Sequence, residues 1–298
     1  MPGDETGLGM AGSSPVPPGQ TPVLETRDLT KRFGGVVAVR EVTLALPHVG
    51  VYGLCGLNGA GKSTLFNLLA GAVRADGGTV SFEGSDVTGL SASKRARLGI
   101  ARTWQMVHLA GQRTVLDNVA VACLPSPSQS MILAPFRTQL KDARERARVV
   151  LDDLGLWHMH NRLAGTLTLE GQRLTELARA VADDPKVLLA DEPASGLSGT
   201  QRSALADTLV HLGESRAVML VEHDLDMLER ISQYLWAMLD GGIAFAGKPE
   251  EFAGTRAHAA LRGIQAARRT TDLRSLAVPG DLTALGDLAA PGDEGRLP

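Results

Sequence analysis

The sequence has only two cysteines, Cys55 and Cys123, and neither a long apolar run nor a strong excess of charge. Two thiols argue against a disulfide framework and fit small core residues in a reducing cytoplasm. No apolar stretch is long enough to span a bilayer, and the N-terminal residues lack the basic start and apolar run of a signal peptide. If the protein works at a membrane, a partner must therefore hold it there. A net charge of −3 argues against a nucleic-acid partner held by bulk electrostatics.

Composition divides the chain into three parts. Residues 1–21 are rich in Pro, Gly and Ser and have few large apolar side chains, so we expect a disordered leader. Residues 22–253 alternate strand and helix patterns, which predicts one large α/β domain, with a more helical lobe at about 107–182. Residues 254–298 are expected to form a C-terminal helix and a mobile tail.

The most informative segment is GLNGAGKST, which fits the phosphate-loop pattern G-x-x-x-x-G-K-[S/T]. An apolar strand pattern at 50–55 precedes it and a helix pattern follows, which is the required order. Backbone N–H groups of such a loop surround phosphates, Lys62 adds a point charge, and Ser63 offers a hydroxyl to Mg²⁺. The helix that begins near Gly61 points its positive end at the same anion. The motif predicts a nucleoside triphosphate site with Mg²⁺, formed by Asn58, Gly59, Ala60, Gly61, Lys62, Ser63 and Thr64.

Two carboxylates and a histidine follow later strand patterns. Asp191 and Glu192 come directly after the apolar segment 186–190, and His223 follows the segment 217–221. Ligands gather at the carboxyl ends of strands in open parallel sheets. Beside a phosphate loop, one carboxylate can hold Mg²⁺ through water, and a second can orient or deprotonate the attacking water. A histidine at this position could reach the γ-phosphate as a hydrogen-bond donor.

In this order, the motifs resemble those of the ATP-binding subunits of ABC transporters, and most of all those of branched-chain amino acid importers. The segment LTKRFGG at 29–35 is similar to the entry segment of that subgroup, which implies that Phe33 stacks on adenine. ARTWQ at 101–105 resembles the glutamine loop, which implies that Gln105 contacts Mg²⁺ and water and senses the membrane subunit.

Two further segments carry the resemblance. DEPASGL at 191–197 resembles Walker B with the D-loop, and VEHD at 221–224 resembles the switch histidine segment. The resemblance therefore implies that Asp191 is a Mg²⁺ contact, Glu192 the general base and His223 the sensor of the γ-phosphate.

The resemblance also implies an architecture and partners. The fold would be a P-loop NTPase (RecA-like) α/β core with an antiparallel β layer and a helical subdomain, which is the ABC ATPase architecture. The chain would pair with a second ABC ATPase subunit on two polytopic membrane permease subunits, at the cytoplasmic face of the plasma (inner) membrane. An extracytoplasmic solute-binding protein would act indirectly, and the solute would be a branched-chain amino acid or a similar small polar molecule.

The chain departs from the family pattern at the signature segment, L-S-G-G-Q, which precedes a helix pattern at 172–182. Here the residues are LTLEG, with Thr168 in place of serine and Glu170 where the family has a close-approach glycine. A shift of one residue would instead align Gly171 and Gln172 with the final G-Q. The family places this segment, here Thr168, Glu170, Gly171 and Gln172, against the nucleotide of the opposite subunit. Because Glu170 would repel a phosphate, we expect an asymmetric dimer, a heterodimer in which the partner supplies an ordinary signature segment.

Ser198 stands where many family members have the D-loop aspartate, which weakens the expectation of signalling between subunits through that loop. A rival function is a non-transport ABC ATPase that acts as an ATP-dependent adaptor or regulator, and the unusual signature segment favours it slightly. A GTPase or small-molecule kinase is disfavoured because the chain lacks an N-K-x-D motif. Neither of those enzymes would explain Gln105 and His223.

Overall fold

The computed structural model describes residues 14–104, 108–124 and 136–263. One sheet of four antiparallel strands forms the first layer, in the order β2-β1-β4-β5. These strands are β1 (Leu24–Phe33), β2 (Val36–Leu46), β4 (Gly77–Phe82) and β5 (Ser85–Asp86). Leu24, Thr26 and, after a register shift, Leu29 are the buried side chains of β1, as expected for a sheet with one face on the core.

A second sheet of six strands forms the centre, in the order β10-β9-β3-β8-β7-β6. Its strands are β3 (Gly50–Gly56), β6 (Ile100–Arg102), β7 (Val187–Asp191), β8 (Ala217–Val221), β9 (Tyr234–Leu239) and β10 (Gly242–Gly247). Every residue of β3, β7 and β8 is buried, which is typical of parallel strands covered on both faces. Because Asp191 pairs with Val221, the residues after β7 and β8 meet at one edge of the sheet, beside the loop that follows β3.

Helices cover both faces of this sheet. On one face α1 (Lys62–Leu69) packs Leu65, Phe66 and Leu69 between the sheet and the β layer. The short helix α2 (Ala92–Leu98) precedes β6. On the other face α6 (Gly199–Gly213) and α7 (Leu225–Ile231) pack against the sheet through Leu205 and Leu228, among others. The last helical elements are α8 (Pro249–Phe252) and residues 256–263.

The helical lobe has its own core. It contains α3 (Val115–Ala120), α4 (Phe136–Asp153), α5 (Leu169–Val181) and three 3₁₀ turns, at Val121–Cys123, Trp157–Met159 and Ala164–Thr166. Alanines at helical spacing on α4, Ala143 and Ala147, are buried, whereas the charged residues between them are exposed. The helix is therefore amphipathic, with a solvated charged face opposite the core of the lobe.

Side-chain caps fix the starts of several helices, and one predicted helix boundary is wrong. Thr114 caps α3 by accepting a hydrogen bond from the Asp117 N–H, and Ser198 and Gln201 form a capping box at the start of α6. The predicted helix at 172–182 begins three residues earlier, at Leu169, because Thr168 is the capping residue. The predicted α/β core with an antiparallel β layer and a helical subdomain is confirmed.

The predicted domain boundaries stay predictions. Residues 14–21 contain no helix or strand, while the rest of the expected leader, and the tail from residue 264, lie outside the described residues. Within the described ranges, no helix combines the length and apolar character needed to cross a membrane.

Candidate functional site

The loop between β3 and α1 is shaped by its glycines and by Lys62. Gly59 and Gly61 have φ values of +81° and +101°, which side-chain-bearing residues rarely adopt. A Cβ atom on Gly61 would also collide with the carbonyl oxygen of Ala38. The Lys62 ammonium group is 2.9 Å from the carbonyl oxygens of both Gly56 and Leu57, and donates a hydrogen bond to each. The sequence pattern thus gives a closed turn with a buried cation beneath it.

A cleft of about 370 Å³ opens over this loop. It brings together residues from four separate parts of the sequence: β2, the phosphate loop, the segment that follows β7 and the segment that follows β8. Its lining residues are Ala38, Asn58, Gly59, Gly61, Lys62, Ser63, Thr64, Glu192 and His223. The loop, one predicted carboxylate and the predicted histidine therefore share one concave surface.

Glu192 and His223 are in direct contact on the wall of this cleft. The Nε2 atom of His223 lies 2.7 Å from Oε1 of Glu192. Glu192 has a φ of +47°, an uncommon backbone conformation for a residue with a side chain. Its backbone N–H donates to the carbonyl oxygen of Val221 at 2.9 Å, which holds the end of β7 against the end of β8. Uncommon backbone conformations of this kind cluster at functional sites.

Asp191 lies behind the cleft in a buried ion pair that the sequence reasoning did not find. Its Oδ2 atom is 2.7 Å from the guanidinium group of Arg102, and the two side chains are only 6% and 9% exposed. Arg102 also donates to Oδ1 of Asn67 at 2.6 Å, and its guanidinium carbon is 4.8 Å from the centre of the Trp104 ring. β6 pairs with β7, so the ends of these two strands are adjacent. The sequence gives only one hint of this ion pair, which is an arginine at the end of β6.

A second residue that sequence reasoning missed is Glu222. It directly precedes His223, is 4% exposed, and accepts a hydrogen bond from the backbone N–H of Ala194 at 2.7 Å. Burial raises the pKa of its carboxyl group to about 7, although the two backbone N–H groups that it accepts from act in the opposite direction. The signal in the sequence that could have identified Glu222 is a charged residue directly after an apolar strand.

The predicted signature segment lies at the start of α5, away from this cleft. Thr168 Oγ1 accepts a hydrogen bond from the Gly171 N–H at 3.3 Å, and Glu170 sits in the first helical turn with its side chain half-buried. Gln172 donates from Nε2 to the carbonyl oxygen of Leu167 at 3.2 Å. A Cβ on Gly196 would lie 3.0 Å from Leu169, so the segment borders the residues that follow Glu192.

Comparison with known proteins identifies the family. The model of the ABC transporter family matches residues 39–195. The chain belongs to this family. It is 35% identical over 237 residues to the high-affinity branched-chain amino acid transport ATP-binding protein BraF of Pseudomonas aeruginosa, covering 77% of this chain and 93% of BraF. It is 34% identical over 244 residues to LivG of Escherichia coli, a protein of the same description, with the same coverage.

Solved structures agree with this assignment. A nucleotide-free ATP-binding cassette from an ABC transporter has a TM-score of 0.67 at 30% identity, covering 78% of this chain and 93% of that one. The ADP conformation of the cassette MJ1267 has a TM-score of 0.71 at 27% identity, covering 82% and 99%. The protein is an ABC ATPase that binds ATP.

Three further predicted residues of this ABC ATPase are not among those that line the cleft. Ala60, within the phosphate loop, is buried. Phe33 lies at the end of β1 with 51% of its surface exposed, and the ammonium group of Lys31 is 5.3 Å from its ring centre. Gln105 lies outside the described residues. The roles assigned to the individual site residues therefore stay predictions.

Proposed function

We propose that this chain hydrolyses ATP to drive the import of branched-chain amino acids, or similar small polar solutes, through two membrane permease subunits. It would act at the cytoplasmic face of the plasma (inner) membrane. The observation that carries the proposal is the contact between Glu192 and His223 on the wall of the phosphate-loop cleft. The choice of solute rests on the descriptions of the relatives BraF and LivG.

In the proposed mechanism, ATP binds with its phosphates over the loop at 56–64. Backbone N–H groups of the loop and the N-terminus of α1 face the phosphates, and Lys62 supplies a positive charge. Glu192 accepts the proton of the attacking water, and His223 orients Glu192 and responds to the γ-phosphate. Phe33 is proposed to stack on adenine from the end of β1, where its exposed ring is accessible.

A magnesium ion fits the donor chemistry at one side of the cleft. Mg²⁺ prefers oxygen ligands and binds through one or two protein groups together with phosphates and waters. Ser63 and Asp191 would supply a hydroxyl and a carboxylate there, and Gln105 is the third proposed contact. Held by these residues, Mg²⁺ would supply positive charge against the charge that develops on the phosphates. Within the described part of the chain, no cluster of three or more His, Cys, Asp and Glu residues could hold the ion alone, as expected if phosphates complete the site.

The second ATP site of a dimer would be completed by the start of α5. Glu170 in the first turn stabilises the helix by about 0.3–1 kcal/mol through the helix dipole. A carboxylate about 4 Å from a phosphate would instead cost roughly 4 kcal/mol at an effective dielectric constant of 20. Since the repulsion is larger, we propose a heterodimer in which the partner ATPase supplies an ordinary signature segment to the site of this chain.

The membrane subunits are proposed to contact the helical lobe near Trp104. A groove of about 400 Å³ lies on this lobe, lined by residues that include His108, Arg113, Val121 and Arg144. Trp104 is 47% exposed, and both Trp104 and His108 flank the predicted position of Gln105. An extracytoplasmic solute-binding protein would act on this chain only through the permease subunits.

The test is the substitution Glu192→Gln in the transporter reconstituted into proteoliposomes with its partners. We expect ATP turnover and leucine uptake to fall at least 100-fold, because an amide cannot take a proton from water. Glu214→Gln, which changes an exposed carboxylate directly after the C-terminal end of α6, is the matched control. Undiminished turnover in the Glu192 variant would contradict the proposed catalytic role.

The adaptor alternative is favoured by Glu170, which weakens the segment offered to a partner. It predicts that the chain does not co-purify with polytopic membrane proteins, and that ATP does not drive uptake of any solute. Co-purification with two permease subunits would exclude the adaptor function.

A further inference from the structure

Glu222 links the two segments that carry the proposed catalytic residues. It is the first residue after β8, and its carboxyl group is buried between the turn at 192–194 and the segment that begins with His223. One oxygen accepts the N–H of Ala194 at 2.7 Å, and the other accepts the N–H of His223 at 3.3 Å. A single side chain therefore bonds to the backbone on both sides of the contact between Glu192 and His223.

This arrangement is costly, which argues for a specific role. A buried carboxylate loses its hydration, and the loss is offset only where donors are well placed. Here the donors are backbone N–H groups of the catalytic segments and not a lysine or arginine side chain. Among the described residues, the ionisable side chains that act on Glu222 are those of Glu192 and His223, and the charge on Glu192 makes ionisation of Glu222 less favourable.

The turn at 192–194 also needs such support. Glu192 has a left-handed backbone conformation, and Pro193 has no N–H to contribute to the turn. The Glu192 N–H is held by Val221, and the next available donor, the Ala194 N–H, is held by Glu222. Both anchors of the turn thus belong to the end of β8, directly beside His223.

We propose that Glu222 is a positioning residue, which fixes the Glu192 carboxylate relative to the His223 imidazole by bonding to the backbone of both segments. The inference rests on the proposed function, because it assumes that Glu192 and His223 act on ATP. Its expected signature is a loss of kcat without a loss of ATP affinity, since the phosphate loop is held by separate contacts of Lys62.

The experiment measures kcat and the ATP Kd of the full chain in its assembled complex. In Glu222→Gln, one acceptor oxygen becomes an NH₂ donor that faces a backbone N–H, so we expect kcat to fall about tenfold and the Kd to stay within twofold. Glu222→Asp keeps the charge but withdraws both oxygens by one methylene, and should show a similar split. If the Glu222→Gln variant does not fold, the Glu222→Asp variant alone tests the inference.

A matched control and a double variant separate this idea from its alternatives. Glu229→Gln removes a carboxylate on α7 that pairs with Arg262 and His258 away from the cleft, and it should leave kcat unchanged. In the Glu192→Gln background, Glu222→Gln should cause no further loss, because the two residues act as one unit. An additional tenfold loss there would overturn the inference, as would an unchanged kcat in Glu222→Gln or a Kd that rises as much as kcat falls. A fully active Glu192→Gln variant would instead overturn the proposed function.

Discussion

The two halves of the proposed ATP site are built differently. The half that belongs to this chain's own nucleotide is made of buried, mutually bonded groups, with Lys62 under the loop and Arg102 paired with Asp191. The half offered to a partner is a helix start, where Thr168 is exposed and Glu170 is half-buried. The contacts of the first half lie within one chain, whereas the function of the second half depends on the partner subunit that faces it. Substitutions in the two halves should therefore differ in kind as well as in size.

The largest effect is expected at the buried ion pair of the first half. Arg102→Met removes the partner of Asp191 and leaves a buried carboxylate unpaired, so the free energy of unfolding should fall by about 3–5 kcal/mol. Chemical denaturation monitored by circular dichroism measures this change. The control is Arg97→Met on α2, where an exposed arginine is replaced and a change within about 0.5 kcal/mol is expected. Equal stability of the two variants would show that the ion pair does not hold this half together.

The second-largest expected effect is a pH dependence of the free energy of unfolding, which arises from Glu222. Its carboxyl pKa is raised from the ordinary 4.5 to about 7 by burial, so the folded chain binds this proton more tightly than the unfolded chain. Its contribution to stability is therefore greatest below pH 4.5 and is lost as pH rises towards 7, by up to about 3 kcal/mol.

Glu222→Gln has no proton to release, so its stability relative to the natural chain should increase between pH 5 and pH 8. Denaturant titrations of both proteins at several pH values measure the difference between their free energies of unfolding. The contributions of the titrating groups that the two proteins share cancel in this difference. A difference that stays constant over this range would contradict the raised pKa.

The smallest effect is expected at the second half. Glu170→Gly removes a favourable charge from the first turn of α5 and adds a flexible residue, so stability should fall by about 1 kcal/mol. Turnover of the assembled transporter should stay unchanged or rise, because a negative charge facing the partner's nucleotide is removed. Glu170→Gln is the control that removes the charge but keeps the side chain. A sharp loss of turnover in both variants would show that Glu170 is adapted to its position, and the two halves would then be equally specialised.

Local sequence patterns predicted the elements whose conformation is decided locally. The phosphate loop followed from its glycines, because Gly59 and Gly61 need positive φ values that few other residues adopt. The strand ends that carry Asp191 and His223 followed from short apolar runs. The predicted helix start at Gln172 was wrong, because Thr168 caps the helix and it begins at Leu169.

By itself, the sequence determined that a nucleoside triphosphate site exists, and it predicted the residues that surround the phosphates, since these lie within a single loop. The tertiary structure alone decided that Arg102 pairs with Asp191 and that Glu222 bonds to the segments of both Glu192 and His223. Those contacts depend on the parallel alignment of β6, β7 and β8, strands far apart in the chain. A register between distant strands is a property of the packed sheet, and no local pattern encodes it.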